Sequence, residues 1–161
     1  MAVTTQYSTE YNQAYVAASG LLETNTQRGR VRVAYFTAAQ DGAGDAGSSV
    51  AIVKLPAGKV RLLASQSKAY VNWTTSSATL DLGWDAYTDA SGTAVTADAN
   101  GIDDGLDVDT AGYQTFGNAL TATGGTKLFE SKDGVVIRAT SADVAIADGD
   151  DLVGFLLYVV D

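Results

Sequence analysis

The sequence predicts an all-β chain: an antiparallel β-sandwich with Greek-key wiring, preceded by an N-terminal arm or short helix. Three observations carry the prediction. Short apolar runs alternate with period two and are separated by glycine-rich turns. Glycine is frequent (17 residues) and proline occurs once, a balance that suits strands joined by tight turns. The chain ends on an apolar run, Asp151 to Asp161, that is apolar on both faces.

Residues 1–29 stand apart from the sandwich, which spans 30–161. Tyr7, Tyr11, Tyr15, Ala18 and Leu22 recur at helical spacing, with Ser8 or Thr9 as N-caps and Gly20 as a stop. The segment is otherwise polar, so it fits a short helix or an extended arm. Tyrosine offers apolar area and a hydroxyl, which suits an interface. The expected arm packs on a neighbouring subunit; the alternatives are packing on its own domain or disorder.

The strands follow in order. From Arg30 to Thr37, Val31, Val33 and Tyr35 alternate with Arg32, Ala34 and Phe36. Asp41 to Gly47 is a flexible loop. Ser49 to Leu55 is a second strand, and Leu55-Pro-Ala-Gly-Lys59 a tight turn with Pro56 at its second position. Lys59 to Ser65 follows, with Val60, Leu62 and Ala64 inward, then a short strand from Tyr70 to Trp73. In Ala78 to Trp84 the residues Ala78, Leu80, Leu82 and Trp84 face in, while Thr79, Asp81 and Gly83 face out.

Residues 85–133 break the pattern and read as a long acidic insertion. Asp98 to Asp109 is rich in Asp and Gly. Asp98, Asp103, Asp104 and Asp107 are the oxygen ligands a calcium loop would use. EF-hand spacing fails, since Ile102 takes the fifth position from Asp98 and no Glu closes the loop. Asx turns and surface charge account for the same residues, so no metal site is assigned. A structureless loop of this length is uncommon, which predicts order around Ala111–Gly117 with Tyr113 and Phe116 as anchors.

Gly134 to Thr140 and the C-terminal run complete the set, with Val144-Ala-Ile146 as a further short strand. In the last run Leu152, Leu156, Tyr158 and Val160 point one way; Val153, Phe155, Leu157 and Val159 point the other. A terminus frays unless a sheet or partner holds it. The run therefore reads as a central strand of the sandwich, or as one sealed by another subunit.

Composition narrows the chemistry. A chain of 161 residues, 46% apolar, suits one domain with a sizeable core. Without cysteine or histidine there is no disulfide framework, no Ser-His-Asp or Cys-His site and no histidine-ligated metal. The net charge of −9 argues against nucleic acid as a partner. No run of 18 apolar residues predicts a membrane span, and Met1-Ala-Val-Thr-Thr lacks the basic start and apolar core of a secretory signal.

Charge is unevenly spread. Six of the ten basic residues (Arg28, Arg30, Arg32, Lys54, Lys59 and Arg61) lie between positions 28 and 61. From Ala69 to Thr126 there is no Lys or Arg, while eight aspartates occur. This predicts a more basic side and a strongly acidic side.

Short motifs do not point to an enzyme. Gly42 to Gly47 matches G-x-G-x-x-G without the strand and helix that give it meaning, and Gly124-Gly-Thr-Lys127 lacks P-loop spacing. Most acids sit in turns or on polar strand faces, a poor start for paired-carboxylate catalysis. Asn72-Trp-Thr74 fits a glycosylation sequon with no secretion signal to support its use.

Taken together, several segments resemble tailed-bacteriophage capsid decoration (cement) proteins. They are the polar start with Tyr7-Ser-Thr-Glu-Tyr11, Gly29-Arg-Val-Arg-Val-Ala-Tyr-Phe-Thr37, the Lys54-Leu-Pro-Ala-Gly-Lys-Val-Arg-Leu-Leu63 hairpin leading to Ala78-Thr-Leu-Asp-Leu-Gly83, and the terminal strand ending at Val160-Asp161. The resemblance covers most of the chain and its motifs are structural. It implies a jelly-roll-like antiparallel β-sandwich, often trimeric, seated on the outside of the virion head and bridging capsomers. The implied partners are the major capsid protein and two further copies of the chain, a homotrimer made in the host cytoplasm. No cofactor is implied.

A decoration protein needs area rather than chemistry, and symmetry-related sites multiply weak contacts. An arm of about 15 extended residues spans up to roughly 50 Å. Tyr7, Tyr11 and Tyr15 are therefore candidate capsid or subunit contacts, with Arg28, Arg30 and Arg32 pairing with shell carboxylates. The arginines also fit the polar face of an edge strand, where charge discourages unwanted pairing. Two alternatives remain: a head-fibre, tail or baseplate component, and a carbohydrate-binding sandwich with Trp73, Trp84 and Tyr87 as a stacking platform.

Overall fold

The computed structural model describes residues 29–161 continuously, together with Ser8, Thr9, Gln13, Val16, Leu22 and Thr26. The strands are β1 (Val31–Ala39), β2 (Ser49–Leu55), β3 (Gly58–Leu62), β4 (Lys68–Asn72), β5 (Thr79–Trp84), β6 (Tyr87–Thr88), β7 (Ala94–Val95), β8 (Asp98–Asp107), β9 (Gly112–Thr115), β10 (Lys127–Ser131), β11 (Val135–Ser141) and β12 (Asp151–Val160). All the strand ladders are antiparallel.

The C-terminal run is central to its sheet, as its apolar faces predict. β12 pairs with β1 along its whole length on one side; on the other it pairs with β4 through its first half and β3 through its second. β9 and β10 extend that six-stranded sheet beyond β4 and β3. The opposing sheet has the order β2-β11-β5-β8.

β3 and β4 lie end to end, as do β9 and β10, so each pair acts as one interrupted strand. The chain then alternates between sheets at each step except β5 to β8. This is the jelly roll, in which two packed sheets are wound by nested Greek keys. The expected all-β sandwich of jelly-roll type is the observed fold.

The core lies between the sheets. Leu55, Val60, Leu62, Val71, Leu80, Leu82, Ile102, Phe129, Ile137 and Leu156 are fully or almost fully buried there. Burying one such side chain contributes about 1.5–3 kcal/mol. Trp84 meets Phe129 edge-to-face with centroids 5.4 Å apart, and Lys127 Nζ lies 4.5 Å from the Trp84 ring centre.

Sequence and structure differ at four places. The strand expected over 59–65 stops at Leu62, where a 3₁₀ turn (Ala64–Gln66) intervenes. The buried Ser67 hydroxyl donates to the Leu63 carbonyl and accepts the Leu157 N–H, so a side chain bridges the gap in the ladder.

The stretch 85–133 is built into the sandwich: β8 completes one sheet, and β9 and β10 complete the other. Phe116 is buried as an anchor should be, but Tyr113 is 81% exposed and anchors nothing in its own core. It stands on the outer side of its sheet because the β4–β9 register places it opposite Tyr70.

The strand expected at Val144-Ala-Ile146 is reduced to an isolated bridge between Ile146 and Gly44. Leu55–Lys59 bends at Ala57 with Gly58 at φ +100°, a conformation that favours glycine, but the hairpin expected over Lys54–Leu63 does not close: β2 pairs with β11 and β3 with β10 and β12, so the segment crosses between the sheets.

Candidate functional site

Ladder register brings together an apolar surface that the linear sequence scatters. On β1, Phe36 points inward, so Val31, Val33, Tyr35 and Thr37 point away from the core. Their partners on β12 are Val159, Leu157, Phe155 and Val153. Val153 in turn opposes Tyr70, and Tyr70 opposes Tyr113. One outward face of the six-stranded sheet thus carries three tyrosines, a phenylalanine and several β-branched residues.

The rings are arranged in two edge-to-face pairs. Tyr35 and Phe155 have centroids 6.1 Å apart, and Tyr70 and Tyr113 5.4 Å. Between the pairs lies a groove of about 280 Å³ lined by Tyr35, Lys68, Ala69, Tyr70, Tyr113, Val153, Gly154 and Phe155. Gly154 opens its floor, because a Cβ there would collide with the Lys68 carbonyl and Ala69. Tyr35 is 77% exposed, and Val31, Val33 and Val153 are exposed too. Val159 is the exception on this face, buried between its neighbours. Large contiguous apolar patches are uncommon on the surfaces of monomeric proteins.

Cations border this face. Lys68 lines the groove, and Lys59 and Arg61 lie farther along the same sheet, opposite Glu130 and Leu128. Arg30 and Arg32, expected at an interface, are both exposed at the start of β1. Tyr7, Tyr11, Tyr15 and Arg28 lie outside the described residues.

Most strand aspartates lie in the opposite sheet, on β5 and β8, and many acids are engaged locally. Asp81 accepts the Gly105 N–H, Asp104 accepts from Asn100 Nδ2, and Asp89 closes the β6–β7 turn by accepting the N–H groups of Ser91 and Thr93. Asp103 is fully buried. Its two carboxylate oxygens accept the N–H groups of Gly117 and Asn118, tying β8 to the segment after β9. Burial pushes this carboxyl above the usual carboxylate range, and the two N–H donors oppose the shift.

The candidate calcium ligands are not gathered into a site. Asp98, Asp103 and Asp107 oppose Trp84, Leu82 and Thr79 along β8. Among the described residues, no group of three or more acidic side chains is placed to hold a metal. The sugar-stacking platform is corrected by burial: Trp73 and Trp84 are 4% and 8% exposed, core residues that no sugar ring can reach. Tyr87 packs on Phe129 instead.

A second cavity, also about 280 Å³, opens at the edge between β1 and β2 and is lined by Trp73, Ile146, Asp150 and Leu152 among others. Asp150 is committed there to its own loops, accepting from Thr74 Oγ1 and from the Ala147 N–H.

The aromatic face was half legible. Alternation grouped Val31, Val33 and Tyr35, and separately Val153, Phe155, Leu157 and Val159. Only register could show that the two groups share a face with Tyr70 and Tyr113.

No protein-family profile matches this sequence, and no curated protein matches it. Solved structures do. A chain in the capsid of Ralstonia phage GP4 aligns with a TM-score of 0.62 at 19% identity, covering 83% of this chain and 86% of that one. A chain in the cyanophage Pam1 capsid asymmetric unit aligns with a TM-score of 0.53, also at 19% identity and with the same coverage. At this identity the likeness establishes a shared sandwich fold over most of both chains.

Proposed function

We propose that this protein is a structural component of a phage virion, a decoration protein that binds the outer capsid surface and stabilises the shell by bridging capsomers. The observation that carries the reading is the outward face of the six-stranded sheet, with Tyr35, Phe155, Tyr70 and Tyr113 around an open groove. Such a face on a protein built for solution would promote indiscriminate association; on an assembly component it supplies contact area. The fold shared with chains from two phage capsids supports the same reading.

In this reading the partners are the major capsid protein and two further copies of the chain, and the location is the virion surface after synthesis in the host cytoplasm. Lys68 at the border of the groove matches a partner that offers a carboxylate beside an apolar patch. The sandwich supplies area and rigidity rather than a reaction.

The test combines light scattering with co-sedimentation on heads of the encoding phage assembled without this protein. A trimer that sediments with heads at many copies per particle is the expected result. Deleting residues 2–20 should leave a folded sandwich and abolish head binding. Binding of only a few copies per virion would favour a head-fibre, tail or baseplate component. A monomer that ignores heads would end the reading.

A further inference from the structure

We propose that the aromatic groove receives the N-terminal segment of a second copy of this chain, so that copies are joined by exchanged arms. The inference rests on the multi-copy reading above and names what fills the groove.

Three observations support it. Within a single copy the groove is open, with Tyr35 and Tyr113 exposed by 77% and 81%. The segment that precedes β1 is long enough and has suitable chemistry. Residues 1–27 carry Tyr7, Tyr11, Tyr15, Leu21 and Leu22, with Glu10 and Glu23 and no Lys or Arg. The groove is apolar and bordered by Lys68. Aromatic and aliphatic side chains fill such a space, and the glutamates complement Lys68 at its border.

The third observation is position. β1 begins at Val31, opposite Val159, whereas the groove lies farther along the same ladder beside Tyr35, Phe155 and Val153. The chain therefore enters its sheet at the end remote from its own groove, and Thr26, four residues before Arg30, lies in a turn.

The chain has no cysteine, so engineered pairs report cleanly. Full-length Leu22→Cys/Val153→Cys protein is oxidised and run on a non-reducing gel. Formation of disulfide-linked oligomers, lost on reduction, is the expected result. A control, Leu22→Cys/Asp107→Cys, places the second thiol on β8 in the other sheet and should remain monomeric. A disulfide within one chain would overturn the proposal by placing the arm on its own sheet. Monomers with free thiols, or equal linkage in the control, would also overturn it. Head binding is scored separately. Heads bound by a protein that forms no interchain link would keep the decoration reading and remove arm exchange; linked oligomers that ignore heads would do the reverse.

Discussion

Tyr70 and Tyr113 face each other across the β4–β9 ladder, their rings 5.4 Å apart and inclined by 65°, on the side of the sheet turned from the core. An edge-to-face pair contributes about 0.5–1.5 kcal/mol. Little of the sandwich depends on it, because Tyr113 touches the core nowhere. What the pair provides is one wall of the groove. Rigid aromatic anchors bind at low entropic cost.

Tyr113→Ala should therefore separate folding from assembly. The unfolding free energy should fall by no more than about 1.5 kcal/mol. For the proposed oligomer, dissociation followed by light scattering on dilution should shift by tenfold or more, as for an interface aromatic that is a hot spot. An unchanged dissociation curve would remove the groove from the assembly surface.

Gly101 tests the core on the other side of the molecule. A Cβ at this position would strike the Trp84 ring, and the Asp98 carboxylate stands close as well. β8 passes the indole here through an irregular stretch of the β5–β8 ladder, where Leu82 opposes Asp103 and Trp84 opposes Asp98. Gly101→Ala should destabilise the protein by about 1–3 kcal/mol, the usual cost of overpacking, and should alter Trp84 fluorescence. Urea unfolding monitored at the tryptophans measures both.

β8 also shows where sequence reading stops. β5 and β12 were legible because their apolar residues repeat every second position. β8 reads Asp98-Ala-Asn-Gly-Ile-Asp-Asp-Gly-Leu-Asp107, a composition that favours turns. It becomes a strand because β5 offers a ladder, Ile102 reaches the core, and Asp103 finds two buried N–H donors. These are tertiary causes with no local signature. The 3₁₀ break before β4 is of the same kind, since the hydroxyl that bridges it belongs to Ser67, an ordinary loop residue in sequence. The groove needed more still, because Tyr35, Tyr70, Tyr113 and Phe155 meet only through three ladders.

Asp103 is the buried carboxylate whose loss should be felt most. An amide in its place accepts with one oxygen and turns an NH₂ toward the second N–H donor. Asp103→Asn should cost about 1–3 kcal/mol, the penalty of an unsatisfied buried donor. The pH dependence has a definite sign. Burial raises this carboxyl above 3.8 in the folded state. The folded protein then binds the proton more tightly than the unfolded chain, so this group's contribution to stability falls as pH rises from 3.8 through the folded value. The advantage of wild type over the variant should shrink on going from acidic to neutral pH.

Asp85 and Arg138 should behave in the opposite sense. Arg138 Nε lies 2.6 Å from Asp85 Oδ1 and Nη2 2.7 Å from Oδ2, a two-pronged pair linking the end of β5 to β11. Hydrogen bonding to Arg138 holds the Asp85 carboxyl below its usual 3.8 despite some desolvation. A depressed folded value means the stabilisation is complete above 3.8 and is lost as pH falls through the folded value. Both side chains are about a third exposed, so solvent screening limits the pair to about 1 kcal/mol. Asp85→Asn should cost that much at pH 7 and progressively less in acid, by urea unfolding across the pH range. A penalty that stayed constant with pH would mean that the side chain's shape, rather than its charge, joins the two strands.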